Sequence, residues 1–141
     1  MGMGEKSLGF LLNRASWAAA NMLKDNFIKE GLDLPHSQYI VLRLLYEQEG
    51  LSQQQIAETL HKDSAAIKRT LDILERKELI VRKPVSLCKY NIYLTPDAIE
   101  QRDKIISIAD KTIQKALEGI SEQQYKEIVA FLNHIYEQSV K

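Results

Sequence analysis

Residues 51–80, LSQQQIAETLHKDSAAIKRTLDILERKELI, constrain the fold more than any other stretch of this chain. Two short helical patterns flank a tight break. Ser52 and Gln55 have the spacing of a capping box, in which each side chain satisfies a free backbone N–H of the other. Ile56, Ala57 and Leu60 follow as an apolar stripe at helical spacing, interrupted by His61 and Lys62. Asp63 or Ser64 can cap a second helix. In that helix Ile67, Leu71 and Leu74 share one face, while Ala65, Lys68, Arg69, Asp72 and Arg76 fall on the other. A helix-turn-helix presents a helix of this kind, apolar behind and small and basic in front, to the DNA major groove.

The residue types fit that chemistry. Ala65 and Ala66 allow close approach to base edges, and Lys68 and Arg69 reach guanine acceptors or phosphates. The candidate DNA-binding set is Ser52, Gln53 and Gln54 at the head of the first helix, and Lys62, Ser64, Ala65, Ala66, Lys68, Arg69 and Thr70 around the second. Arg82 and Lys89 beyond it complete the set. An ordinary surface helix of mixed charge gives the same pattern, so the next segment matters. Tyr90, Ile92 and Leu94 alternate with Lys89, Asn91 and Tyr93, as in a half-buried strand. Pro84 is expected to break the extended run before it, leaving a short hairpin. A hairpin directly after a recognition helix is a wing. The expected fold is mainly α: a winged helix-turn-helix with a short β-hairpin wing and long helices at both ends.

The chain has 141 residues, one domain's worth, and a net charge of zero. The distribution of charge is more informative. Residues 61–90 hold eight Lys/Arg and four acids, a net of +4, and the remainder carries −4. The positive share falls on the proposed recognition helix and wing, where phosphate binding needs it. The single cysteine, Cys88, excludes an intrachain disulfide and suits a reducing cytoplasm. No stretch approaches a membrane span, since Asn13 and Arg14 interrupt the apolar run at 8–23. No signal peptide is expected, and Lys6 stands where a myristoylation signal has Ser or Thr. No glycine-rich phosphate loop, HExxH or nucleophile motif supports an enzyme. His36, His61, His134 and Cys88 lack tight metal-ligand spacing, so neither metal nor cofactor is expected.

The ends of the chain bear on assembly. Residues 7–29 read as one helix, ended near Gly31 before Pro35. Leu8, Leu11, Leu12, Ala15, Ala19, Met22 and Leu23 make one apolar face, and Phe10, Trp17 and Ile28 lie nearly opposite. A helix apolar on two sides needs two partners. Thr95 and Pro96 start another helix, with Ile99, Ile106, Ala109, Ile113 and Ala116 as its stripe and Gly119 as its close. Ser121 and Gln124 form a second capping box, opening a last helix with Ile128, Phe131, Leu132, Ile135 and Tyr136. These helices either complete a monomeric core or meet a second copy.

In order and length, nearly the whole chain resembles the MarR family of winged helix-turn-helix regulators. LPHSQYIVLRLL (34–45), with Gln38 and Leu42, is similar to the family's second helix, and LSQQQIAETL to its third. KDSAAIKRTLDILERKELI resembles the recognition helix, with Arg69, Asp72, Leu74 and Glu75 at family-typical places, and YLTP (93–96) the strand exit. The resemblance implies a single domain over 1–141, with a DNA-binding lobe at 34–95 and dimerisation helices at 5–31 and 96–141. It implies a homodimer whose interface includes Leu8, Leu11, Leu12, Ile128, Phe131, Leu132, Ile135 and Tyr136. It also implies a cytoplasmic bacterial regulator of transcription on pseudo-palindromic duplex DNA, in the typical case a repressor released by a small aromatic effector. Asn13, Trp17, Asn21, His36 and Tyr39 are the candidate pocket residues. Two features depart from the family: Ser86, Leu87 and Cys88 replace the basic wing tip, leaving Lys89 alone, and Ala98 stands where a glycine is usual. Oxidant-sensing members place their cysteines near the first helix, so Cys88 in the wing is expected to be a bystander. A winged-helix module that binds protein instead of DNA is the rival reading, favoured by the apolar tip Val85/Leu87.

Overall fold

The computed structural model describes residues 7–140; residues 1–6 and 141, at the outer limits of the expected domain and first arm, lie outside the described residues. Among the described residues, seven helices and three strands follow in the order α1 (Leu8–Lys29), α2 (His36–Glu47), β1 (Leu51–Ser52), α3 (Gln53–Leu60), α4 (Ser64–Arg76), β2 (Ile80–Ser86), β3 (Lys89–Leu94), α5 (Pro96–Glu100), α6 (Arg102–Ala116) and α7 (Glu122–Ser139). The start and stop signals act as chemistry dictates. Ser7 accepts from the Phe10 amide at the head of α1, and both capping boxes, Ser52/Gln55 and Ser121/Gln124, are complete. Thr95 caps α5 through its hydroxyl, with Pro96 at the first position.

The core gathers Val41, Leu42 and Leu45 of α2, Ile56 of α3, Ile67, Leu71 and Leu74 of α4, and Ile80 and Ile92 of the sheet. Leu23 and Phe27 of α1 and Ile105 and Ala109 of α6 belong to the same cluster. The core therefore runs across the expected limits at 34 and 95, which fall in the connections from α1 to α2 and from β3 to α5. Tyr46 closes one side, donating its hydroxyl to the Ala98 carbonyl at 2.6 Å; burial pushes that phenol up to about 12.

Four expectations need correction. Pro84 does not break its strand: β2 runs through it to Ser86. In the antiparallel order β1-β3-β2 that strand lies at the sheet edge, and the register shifts between Pro84 and Ser86. An edge position with an irregularity tolerates the missing N–H. The hairpin gains a third strand from Leu51 and Ser52, which pair with Ile92 and Asn91. The helix expected from Thr95 to Gly119 is interrupted at Gln101, and its core face is Ile105, Ala109 and Thr112, while Ile99, Ile113 and Ala116 are exposed. Finally, Asp63 occupies the cap position of α4 by backbone alone, with no side-chain cap bond.

Candidate nucleic-acid interface

The tight break between α3 and α4 rests on His61, which adopts the left-handed conformation at φ 53. The Lys62 amide then bonds back to the Ala57 carbonyl at 3.0 Å, closing α3 and redirecting the chain into α4. Gln53 ties the heads of the two helices together, its side-chain amide donating to the Ser64 hydroxyl at 3.1 Å and to the Ser64 carbonyl at 3.3 Å. Ser64 is the first residue of α4, one past the cap position, and its hydroxyl serves this contact.

Helix α4 is fixed at its other end as well. The Lys77 ammonium donates to the side-chain carbonyl of buried Gln38 at 2.6 Å and to the Asp33 carbonyl at 2.7 Å. With Ile67, Leu71 and Leu74 enclosed, α4 has one possible outward face. Ala65, Lys68 and Arg69 are exposed on it, Ser64 and Ala66 are partly covered, and Lys62 is exposed in the turn just before α4. Thr70 is a correction to the expected set. It is buried, because three residues beyond Ile67 its side chain turns toward the core side of the helix.

The cations on this surface are unequally free. Lys68 donates to Asp72 at 3.1 Å, one turn along its own helix. Arg82, largely covered at the base of the wing, spans two acids of α4, Asp72 at 2.8 Å and Glu75 at 3.0 Å. Hydrogen bonds from Lys68 and then Arg82 hold the Asp72 carboxyl below the usual carboxylate range. Arg82 therefore braces the wing against the recognition helix, while Lys62 and Arg69 stay open to an incoming phosphate or base. Between the wing and the heads of α3 and α4 lies a groove of about 700 Å³, which Ser52, Gln53, Gln54, Ser64, Arg82 and Lys89 help to line. The wing tip beyond it is apolar, with Leu87 93% exposed and Cys88 in the left-handed conformation beside it. Lys83 lies over the Tyr93 ring at 4.5 Å, a cation on the wing outside the expected set.

The expected effector residues do not converge. His36 and Tyr39 line a cavity of about 400 Å³ with Ser16, Ala19 and Ala20 of α1 and Ala109 of α6. Asn13 and Trp17 line a separate surface dent with Phe10 and Arg14, and Asn21 lines neither. Trp17 and Asn21 are turned away from the 16, 19 and 23 side of α1 that lines the cavity, and Asn13, though on the side of Ala20, lies two turns before it along the helix. The cavity has a member that spacing did not single out, Arg43. Its Nη1 is buried without a hydrogen-bond partner, and Asp110 is 3.8 Å away. Helical spacing from His36 and Tyr39 places residue 43 on their face, a signal present in the sequence.

On the arms, Leu8 and Leu11 of α1 and Ile128, Phe131, Leu132, Ile135 and Tyr136 of α7 are all exposed, and Leu12 is partly covered. Among the described residues, no helix is long and apolar enough to cross a membrane, and no group of three or more His, Cys, Asp or Glu can hold a metal ion.

Comparison with known proteins adds to this geometry. The model of the MarR family matches residues 34–85. The chain is 26% identical over 134 residues to the organic hydroperoxide resistance transcriptional regulator of Bacillus subtilis, covering 94% of this chain and 86% of that protein. Among solved structures, the fold matches the S. aureus MepR–DNA complex with a TM-score of 0.85 and 27% identity, over 97% of this chain and 100% of that one. It matches CouR from Rhodococcus jostii RHA1, bound to p-coumaroyl-CoA, with a TM-score of 0.80 and 27% identity, over 92% and 91% of the two chains.

Proposed function

We propose that the chain is a member of the MarR family, whose model matches residues 34–85, and that it is a sequence-specific DNA-binding regulator of transcription. It acts as a homodimer in the cytoplasm, and a small-molecule effector releases it from its operator. The observation that carries this reading is the outward face of α4. Arg69 on that face and Lys62 in the turn before it are exposed without an acid in contact, beside the small residues Ala65 and Ser64, on a helix locked at both ends. A face that is open, cationic and rigidly held is what direct readout of a major groove needs. The match to MepR in its DNA complex supports the same docking.

Arg69 reads bases, and Lys62 and Lys89 contact phosphate. Ser52, Gln53 and Gln54 lie where the head of α3 meets the backbone, and Ala65 and Ala66 permit approach. Lys68 and Arg82 contribute less to phosphate than their charge implies, because Asp72 and Glu75 already occupy them. The effector enters the cavity of His36, Tyr39 and Arg43, and the CouR complex supports a ligand-responsive reading. Cys88 is outside that cavity and is not the switch. A Cys88→Ser protein keeps the parent's DNA affinity and its response to mild peroxide; loss of DNA on oxidation by the parent alone overturns this.

The second reading, a winged-helix module for protein, rests on one feature, the apolar wing tip with Leu87 93% exposed. Titration against generic duplex DNA at several salt concentrations separates the two. DNA binding gives a log–log salt slope of about −0.9 per neutralised phosphate. Absence of binding at low salt favours the protein module.

A further inference from the structure

Helix α7 has no buried residue in its own chain, yet it is not detached from the reading lobe. Near its C-terminal end the Tyr136 hydroxyl lies 2.9 Å from Nε2 of His61, within hydrogen-bond distance. The two rings also meet edge to face, their centroids 5.5 Å apart and their planes at 67°. The contact joins residues 75 apart in sequence. His61 is the left-handed residue of the turn that aims α4. Tyr136 is on the helix whose apolar side, Ile128, Phe131, Leu132 and Ile135, lies open.

We propose that the Tyr136–His61 contact is a positioning link that fixes each recognition helix relative to the dimerisation helix of its own chain, and so sets the distance between the two heads of the dimer. The inference rests on the dimeric, DNA-reading function above and goes beyond it. A two-fold dimer reads half-sites about one helical turn apart only if its two heads are held at that span. The shared core fixes α1 and α6 to the lobe, but α7 buries nothing there, so its alignment needs a contact of its own. A hydrogen bond and a ring contact on one pair of side chains restrain both direction and distance. Neither residue touches bases in this role; each acts through the orientation of α4.

Cys88, the chain's sole cysteine, is free and exposed on the wing, so a nitroxide there reports the distance between the two wings of a dimer. Tyr136→Phe keeps the ring and removes the hydroxyl. His61→Asn breaks the link from the other side while tolerating the left-handed backbone. Electron–electron dipolar spectroscopy on the parent dimer gives a narrow distance distribution, and both variants give a broad one at unchanged dimer mass and melting temperature. Equal widths in parent and variants overturn the inference. No dipolar signal in the parent means no dimer, which overturns the proposed assembly and the inference with it. On DNA, the parent's preference for one half-site spacing is lost in Tyr136→Phe, while its affinity for non-specific duplex is unchanged; an unaltered spacing preference overturns the inference. If the parent binds no duplex, the DNA reading fails, and the spin-label distances still decide the link.

Discussion

In the reading lobe, Leu42, Leu45, Ile56, Leu71 and Leu74 are fully enclosed by their own chain, whereas on α7 not one residue is buried, and Phe131, Leu132 and Ile135 face outward. Both regions are helical, and both are written with amphipathic spacing. They differ in where the second wall of the apolar face comes from. The lobe takes it from α1, α2, the sheet and α6 within the chain. Helix α7 and the N-terminal half of α1 do not find it there, and an apolar surface of that extent is normally an interface. One region is therefore folded on itself, and the proposed dimer gives the other its second wall.

Phe131→Asp tests the difference most severely. A carboxylate placed on a face that another copy covers leaves a buried charge unpaired, a cost of ~3–5 kcal/mol. The dimer should dissociate or fail to fold, as sedimentation will show, and Leu12→Asp on the facing arm should behave alike. A dimer of unchanged mass in both variants would mean that these faces remain open. Leu71→Ala acts on the other region. A cavity at a fully buried leucine should cost ~2–5 kcal/mol, seen in denaturant unfolding with the recognition helix among the first elements to loosen. The dimer should survive this change in its folded fraction.

Sequence patterns exposed the lobe more fully than the arms. Ser52/Gln55, the 67-71-74 stripe and the alternation into Ile92 and Leu94 are local signals, and local hydrogen bonding and packing reproduce them. What stayed hidden depends on distant partners. Thr70 lies one position from the core stripe, and only the packing of α4 shows that it is buried. Arg82 belongs to the expected DNA-binding set, and Asp72 and Glu75, ten and seven residues away, hold it. Asn13, Trp17 and Asn21 share spacing, but the rotation of α1 turns Trp17 and Asn21 from the cavity that takes His36 and Tyr39, and Asn13 lies two turns short of it. Pro84 is expected to break its extended run, but the sheet order places it on an edge strand that continues through it.

A smaller effect sharpens the comparison inside the lobe. Arg69→Ala should cost ~1–3 kcal/mol on the preferred site and relax its specificity. Loss of Lys62 or Lys89 should weaken all sequences alike and lower the salt slope by ~0.9 for each contact, and Lys68→Ala should change it less, because Asp72 already pairs that ammonium. Equal slopes for Lys62→Ala and Lys68→Ala would contradict the ranking drawn from their partners.

The smallest effect falls where the two regions meet. Burial, and then the positive charge of Lys62, lower the affinity of His36 for a proton below its ordinary value of 6.5. The unfolded chain therefore binds that proton first. Stability is complete above 6.5, declines as the pH falls below it, and levels off once the folded value is passed. His36→Asn should flatten that part of a melting profile; a parent profile that rises on acidification through this range would reverse the sign of the shift.

The stoichiometry of the specific complex tests the central claim most directly. Analytical ultracentrifugation on the best duplex selected from genomic fragments should give two chains per pseudo-palindromic site, with half-site centres ~34–36 Å apart. A single chain that binds one half-site with the full affinity of the whole site would contradict the account, because the arms would then serve no second copy.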